Sequence, residues 1–180
     1  MSTDDSFAEQ VQQLTARAQI YDAVMRYARG VDRCDKEAIV SAFHPGATVD
    51  YTTFTGSPEE FADWVIPMHL NAFTWTTHLN VNHLVEFRGD RAVGETYVQA
   101  TLRFEKEGQL FDLHGFGRYF DRYELRDGKW LITFRRAIVD TERTVRVPSE
   151  NKTELVDAIG NPGTRDRNDL SYDHFAKIHA

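Results

Sequence analysis

The strongest constraint on the fold is a long stretch of alternating apolar and polar residues that begins near Thr76. Segments rich in Val, Thr, Tyr and Phe are separated by three turn signals, at Gly89-Asp90, Glu107-Gly108 and Asp127-Gly128. The pattern predicts an antiparallel meander of four long strands, near 77–88, 91–105, 110–125 and 129–141. Strands of this length must twist and curl, so we expect a curved sheet with a concave face.

The residues before Thr76 predict mostly helices. Apolar positions recur at steps of three and four over 7–31, and a shorter helix is expected over 36–43, before a proline stop at His44-Pro45-Gly46. A strand is predicted over 47–54. A third helix begins at Ser57-Pro58, where Glu60 completes a capping box. Helices followed by a meander indicate an α+β fold, with helices over the concave face of the sheet and a pocket between them.

Composition limits the domain organisation and the function classes. Neither a linker nor a repeat divides the 180 residues, so one domain is predicted over 1–145, followed by a polar arm or tail over 146–180 with a possible helix at 152–159. A net charge of −7 without a basic block argues against nucleic-acid binding. A single cysteine, Cys34, suits a reducing compartment, and no apolar stretch reaches the roughly 20 residues that cross a bilayer. We expect a cytoplasmic protein without a membrane partner.

Polar residues on the predicted strands are candidates for a site. His78 and Asn80 share one face of the first strand, which is too polar for a packed core and is therefore either solvated or the wall of a cavity. Alternation places His83 on the opposite face. His114 lies on the third strand and Arg135 on the fourth.

Two further candidates lie near the end of the first helix. Tyr27 is close to the apolar stripe, so we expect a half-buried ring whose hydroxyl needs a partner. Asp32 follows apolar Val31 and is either a structural cap or a functional carboxylate. A metal site made of His78, His114 and Asp32 is a further alternative, but no local ligand spacing supports it and we predict no metal.

Four sequence strings carry a family resemblance: Tyr27 to Asp32, Thr48 to Tyr51, Thr77 to Glu86, and Tyr123 to Trp130. Together with the order of helices, strand and meander, they resemble the SnoaL-like branch of the nuclear transport factor 2-like superfamily over residues 8 to 140. The resemblance implies a cone-shaped α+β barrel with one deep pocket, in a homodimer or homotrimer, without a cofactor.

The resemblance also implies roles for individual residues. His78 is the expected general base, Asp32 the residue that orients it, and Tyr27 a third catalytic group. Tyr51 and Arg135 correspond to pocket residues of relatives. With Asn80 and His114, these two form the predicted substrate-binding set.

These residues predict a lyase that eliminates water or HX from a small hydrophobic cyclic substrate, because an imidazole oriented by a carboxylate suits proton abstraction at neutral pH. An isomerase or a polyketide-cyclase-type enzyme could use the same pocket. A non-catalytic ligand-binding or assembly subunit is the alternative from a different class.

Overall fold

A computed structural model describes residues 3–148, 160 and 162–179. The helices are α1 (Thr3–Asp32), α2 (Lys36–Val40), α3 (Pro58–Ala72) and α4 (Leu170–Ala176), the last followed by a 3₁₀ turn (Lys177–His179). The strands are β1 (Phe43–Tyr51), β2 (Phe54–Gly56), β3 (Trp75–Arg88), β4 (Arg91–Lys106), β5 (Gln109–Arg126) and β6 (Lys129–Arg146). No described helix is both long enough and apolar enough to cross a membrane.

Local sequence signals explain where the helices begin and end. At the start of α3, Ser57 accepts from the backbone N–H of Glu60 while the Glu60 carboxylate accepts from that of Ser57, which confirms the predicted capping box. Glycine destabilises a helix interior, but α1 continues through Gly30 to Asp32. Gly30 instead allows α2 to pack closely, because a Cβ at this position would lie 2.7 Å from the backbone nitrogen of Ile39.

The strands form one six-stranded sheet in the order β2-β1-β6-β5-β4-β3. The meander from β3 to β6 is antiparallel as predicted. The pair β1–β6, however, is parallel, because these strands are far apart in the chain and no hairpin joins them. The predicted α+β class is confirmed, with a curved sheet that remains unclosed.

The segment around His44-Pro45-Gly46 corrects two predicted boundaries. The helix expected to reach residue 43 ends at Val40, and β1 begins at Phe43 rather than at 47. The pairing of β1 with β6 shifts register between Phe43 and Thr48. Such an irregularity accommodates Pro45, which lacks a ladder donor.

A β-bulge in β3 changes which side chains share the concave face. Asn80 pairs with Val98, but His83 pairs with Thr96, so one extra residue lies between the two pairs on β3. The bulge returns His83 to the face that carries His78. The simple alternation that placed His83 on the opposite face is therefore wrong.

The segment from residue 162 to 179 docks against the end of α1 and the start of α2. Arg167 pairs with Asp35, and the Tyr172 hydroxyl donates to the same carboxylate at 2.7 Å. Arg29 donates to Ser171 and lies over the Tyr172 ring at 4.4 Å. The helix predicted over 152–159 lies outside the described residues.

Candidate active site

The centre of the candidate site is a hydrogen-bonded pair formed by Asp32 and His78. Asp32 is the last residue of α1, and His78 lies on the adjacent strand β3. The Nδ1 atom of His78 lies 2.7 Å from Oδ1 of Asp32. Since a carboxylate only accepts, Nδ1 is the donor, and Nε2 is left as the nitrogen that can take a proton.

Two further hydrogen bonds hold the Asp32 carboxylate. It accepts from the backbone N–H of His78 at 2.9 Å and from the Thr76 hydroxyl at 3.2 Å. Burial disfavours the charged carboxylate, but the hydrogen bonds from His78 and Thr76 outweigh burial and lower the pKa of Asp32. An ionised Asp32 can thus fix the imidazole tautomer and stabilise the imidazolium that forms when His78 takes a proton.

His78 lines a cavity of about 220 Å³ between the concave face of the sheet and helices α1 and α3. Most of the lining is aromatic or aliphatic, with Phe61, Trp64 and Met68 from α3 opposite Leu102 and Leu113 from the sheet. The pair therefore faces a partly open, mainly apolar cavity of the kind that binds small organic molecules.

Three tyrosines, Tyr27, Tyr51 and Tyr119, add hydroxyl groups to the cavity wall. The hydroxyl oxygens of Tyr27 and Tyr51 are 2.5 Å apart, so one donates to the other. Burial raises the pKa of all three well above the ordinary value of a phenol. They remain protonated and can donate hydrogen bonds to a ligand oxygen or halogen.

A second imidazole, His69 of α3, lies on the same wall. Its ring is nearly parallel to that of His78, with the ring centroids 5.9 Å apart and an interplanar angle of 19°. The side chain lines the cavity and is almost completely buried. Burial, assisted by positive charge at His78 and Arg165 and opposed by Asp32, lowers the pKa of His69 to about 4.

Arg135 lies in the core rather than on the cavity wall. Its guanidinium makes two hydrogen bonds to Asp121, at 2.8 and 2.7 Å, and both side chains have zero exposure. The guanidinium carbon is 4.2 Å from the ring centroids of both Tyr27 and Tyr119. The cation is neutralised by Asp121 and supports these rings from behind, instead of facing the cavity as we predicted.

The structure does not bring the other two predicted binding residues into the cavity. His114 lies on the opposite face of β5, where its Nδ1 atom is 3.1 Å from the Thr101 hydroxyl. Asn80 lies in a neighbouring groove between α1 and β3 that Asp32 and His78 also line, and its amide has no partner among the described residues. His114 therefore does not face this cavity, and a substrate-binding role for Asn80 stays a prediction. With His114 on the other face, the three-residue metal group does not assemble, and the described residues contain no other such cluster.

Neither His69 nor Asp121 is among the residues predicted from the sequence. His69 follows Val65 by four and Phe61 by eight residues, so it falls on the buried stripe of α3. Asp121 alternates with Tyr119 and Tyr123 on the buried face of β5. A polar residue on an otherwise apolar stripe is the signal that could have identified both.

The family comparison matches most of the chain. A family model described as a SnoaL-like domain matches residues 12–136. The Pea pathogenicity protein 2 of Fusarium vanettenii is 33% identical over 109 residues, which cover 55% of this chain and 43% of that protein. The chain thus spans less than half the length of this curated relative.

Solved structures show the same fold. The chain is similar to LinA, with 22% identity and a TM-score of 0.69 over 76% of this chain and 93% of that chain. A putative scytalone dehydratase from Novosphingobium aromaticivorans has 22% identity and a TM-score of 0.65 over 77% and 93%. The type 3 hexachlorocyclohexane dehydrochlorinase from Novosphingobium barchaimii has 20% identity and a TM-score of 0.66 over 76% and 94%. At these identities the likeness concerns the fold.

Proposed function

Because this chain belongs to the SnoaL-like domain family, we propose that it is a cofactor-independent lyase that eliminates water or a hydrogen halide from a small neutral cyclic substrate. The observation that carries the proposal is the Asp32–His78 pair on the wall of a mainly apolar cavity. A base oriented by a carboxylate in such a cavity is the minimum requirement for abstraction of a carbon-bound proton.

In the proposed reaction, Nε2 of His78 takes a proton from the substrate carbon adjacent to the one that bears the leaving group. The C–H electron pair forms the new C=C bond while the bond to the leaving group breaks. A halide leaves as the anion, and a departing hydroxide takes the proton back from His78 and leaves as water. Asp32 keeps Nδ1 as the donor throughout and offsets the transient positive charge.

The tyrosines are proposed to stabilise the departing group. Since burial raises the pKa of Tyr27 and Tyr51, neither transfers its proton outright. The Tyr27–Tyr51 hydrogen bond uses one of the two hydroxyl protons, so the other can be donated to a substrate oxygen or a leaving halide. A preorganised donor in an apolar site favours the developing negative charge.

The cavity also supports a substrate class. Its volume of about 220 Å³ exceeds the roughly 150 Å³ in which an apolar cavity holds benzene, so a substituted six-membered ring fits. The described lining contains neither Lys nor Arg, and its acidic residue, Glu142, repels anions. These features favour an uncharged ring over a carboxylate or phosphate ester.

The comparisons support the same reaction type. Two of the similar structures are described as a hexachlorocyclohexane dehydrochlorinase and a putative scytalone dehydratase. Both names denote elimination, of hydrogen chloride in one case and of water in the other.

The test is a screen of cyclic β-hydroxy ketones and halogenated cyclohexanes, followed by NMR in D₂O. We expect alkene formation with wild type, and a loss of about 10²-fold or more in kcat/KM for His78→Ala, since general-base catalysis typically contributes that much. Asp32→Asn should lose a comparable factor. His174→Ala, which changes an exposed histidine of α4, is the control.

Each outcome of the screen distinguishes the alternatives. A folded His78→Ala variant that retains full activity contradicts the mechanism. Deuterium incorporation or a shifted double bond without loss of a substituent identifies an isomerase, and ring closure identifies a cyclase. Ligand binding without turnover identifies a non-catalytic binding subunit.

The expected homodimer or homotrimer and the expected cytoplasmic location remain predictions. Leu84, Val93 and Phe120 leave apolar surface exposed on the sheet, as an association surface requires. Light scattering on the purified chain measures the oligomeric state, and cell fractionation measures the location.

A further inference from the structure

We propose that His69 is a second ligand-contacting residue of the cavity, whose imidazole hydrogen-bonds a hydroxyl or carbonyl oxygen of the substrate. This inference rests on the proposed function only in that it takes the same cavity as the place where the substrate binds.

The position of His69 carries the inference. The side chain is 5% exposed, lines the cavity, and stacks on His78 with the ring centroids 5.9 Å apart. The ring of Phe73 packs edge-to-face against the ring of His69, with the centroids 5.4 Å apart. A ligand close enough to give a proton to His78 therefore lies beside His69 as well.

The ring of His69 has unused hydrogen-bonding capacity. Its Nδ1 atom is buried, and neither ring nitrogen has a hydrogen-bond partner among the described residues. His44 and His83 each use one ring nitrogen, toward the Glu124 carbonyl and Thr96 respectively, although Nε2 of His83 also lacks a partner among the described residues. His69 differs from both in that neither of its ring nitrogens bonds a described residue and its side chain lines the cavity. Since an unpaired buried polar group is unfavourable, a ligand atom is the natural partner for His69.

The charges around His69 determine what kind of ligand atom it can bind. The groups that face it are His78 on β3, Asp32 on α1 and Arg165 from the docked segment. Burial, with His78 and Arg165, outweighs the opposing effect of Asp32 and holds the pKa of His69 at about 4, so the ring is neutral near pH 7. A neutral imidazole has one N–H donor and one acceptor nitrogen, which suits an uncharged hydroxyl or carbonyl rather than an ion.

The backbone near His69 is hydrogen-bonded by Arg165, a residue outside the region 12–136 that matches the family model. Nη1 of Arg165 donates to the carbonyl of Phe73 at 2.6 Å and to that of His69 at 3.3 Å. The first bond satisfies the Phe73 carbonyl just beyond the end of α3, and the second adds a donor to the His69 carbonyl, which also accepts from the backbone N–H of Phe73. The ring is thus fixed in place before a ligand arrives.

The test compares binding of 4-methylphenol and 1,4-xylene, which differ by one hydroxyl in place of a methyl group. We expect wild type to prefer 4-methylphenol, and His69→Phe to lower that preference by about two- to tenfold, the factor that one hydrogen bond typically contributes. His83→Phe, which removes a buried imidazole outside the cavity, should leave the preference unchanged. Because Asn mimics Nδ1 and Gln mimics Nε2, His69→Asn or His69→Gln should restore part of it.

An unchanged preference in His69→Phe overturns the inference, since a packing residue can be replaced by Phe without this effect. If that variant fails to fold, ring ¹⁵N shifts of wild-type His69 decide instead. A shift with 4-methylphenol but not with 1,4-xylene supports the contact, and equal shifts overturn it. Neither probe undergoes elimination, so this result is independent of whether the chain is a lyase.

Discussion

The two stacked imidazoles have different surroundings, and this difference separates their roles. Asp32 hydrogen-bonds His78 directly, whereas His69 has no carboxylate in contact and is packed against apolar side chains. Two positive charges at this distance would repel each other. A proton taken from a substrate is therefore held at His78, and His69 remains neutral beside it.

The low pKa of His69 predicts a pH-dependent stability. Between about pH 6.5 and 4 the unfolded chain binds a proton at this residue that the native state does not, so this contribution is complete above pH 6.5 and is lost as the pH falls. We expect a decrease of about 2 kcal/mol in the free energy of unfolding between pH 7 and pH 5 from this group. Urea unfolding at both pH values measures it.

His69→Phe is the matched control for this stability prediction, because it removes the titrating group and keeps a ring of similar size. Its free energy of unfolding should depend less on pH over the same range. An identical pH dependence in the variant and in wild type would show that His69 titrates normally in the native state.

At the scale of single elements, β5 contains two glycines with opposite functions. A Cβ on Gly117 would lie 2.1 Å from the carbonyl oxygen of Ile138, so this glycine permits the close β5–β6 pairing at the register shift. A Cβ on Gly115 would meet nothing within 4 Å, and this residue lines the cavity. Gly115 therefore leaves space for a ligand.

We expect Gly115→Val to fold and to weaken 4-methylphenol binding by about tenfold or more, because its side chain occupies part of the cavity. Calorimetric titration measures the affinity, and thermal unfolding checks the fold. Gly117→Ala should instead lower the melting temperature, because its Cβ would clash with the Ile138 carbonyl. Normal affinity in a folded Gly115→Val variant would mean that ligands do not occupy this part of the cavity.

Elements specified by local signals could be predicted from the sequence. The capping box at Ser57 and the three turn dipeptides of the meander fix where α3 and β4 to β6 begin. The bulge after Asn80 and the parallel β1–β6 pair depend on partners distant in the chain. Local periodicity carries no information about them, and β2, with three residues, is too short to show a period.

The structure brings together four residues named from the family resemblance, Asp32, His78, Tyr27 and Tyr51, whereas Arg135, named from the same resemblance, lies in the core. Alternation alone failed for His114 for a physical reason. The concave face of β5 has Gly115 and Gly117 where a core face normally has large apolar side chains. The hydrophobic signal that identifies the inner face was therefore missing.

At the scale of the whole molecule, the Arg135–Asp121 pair lies in the core beneath the cavity, and Tyr123 also donates to Asp121 at 2.9 Å. We expect Arg135→Met to lower the free energy of unfolding by about 3–5 kcal/mol, because Asp121 would be left as an uncompensated buried charge. Denaturant unfolding measures the change. A second substitution, Asp121→Leu, in the same chain should recover part of the loss.

This prediction separates a structural role for Arg135 from anion binding. If Arg135 has a structural role, Arg135→Met lowers the free energy of unfolding and leaves the relative affinities for neutral and anionic rings unchanged. A folded variant with normal stability that selectively loses binding of anionic rings would instead restore the substrate-binding role predicted from the sequence.

The contact of Arg165 with the end of α3 has a consequence for how the chain is made. A ribosome synthesises Asp32, His69 and His78 long before Arg165, so the strands can pair and the Asp32–His78 hydrogen bond can form while residue 165 is still untranslated. The carbonyls of His69 and Phe73 acquire their side-chain donor only later. During synthesis the end of α3 therefore exists for a time without the side chain that later holds it.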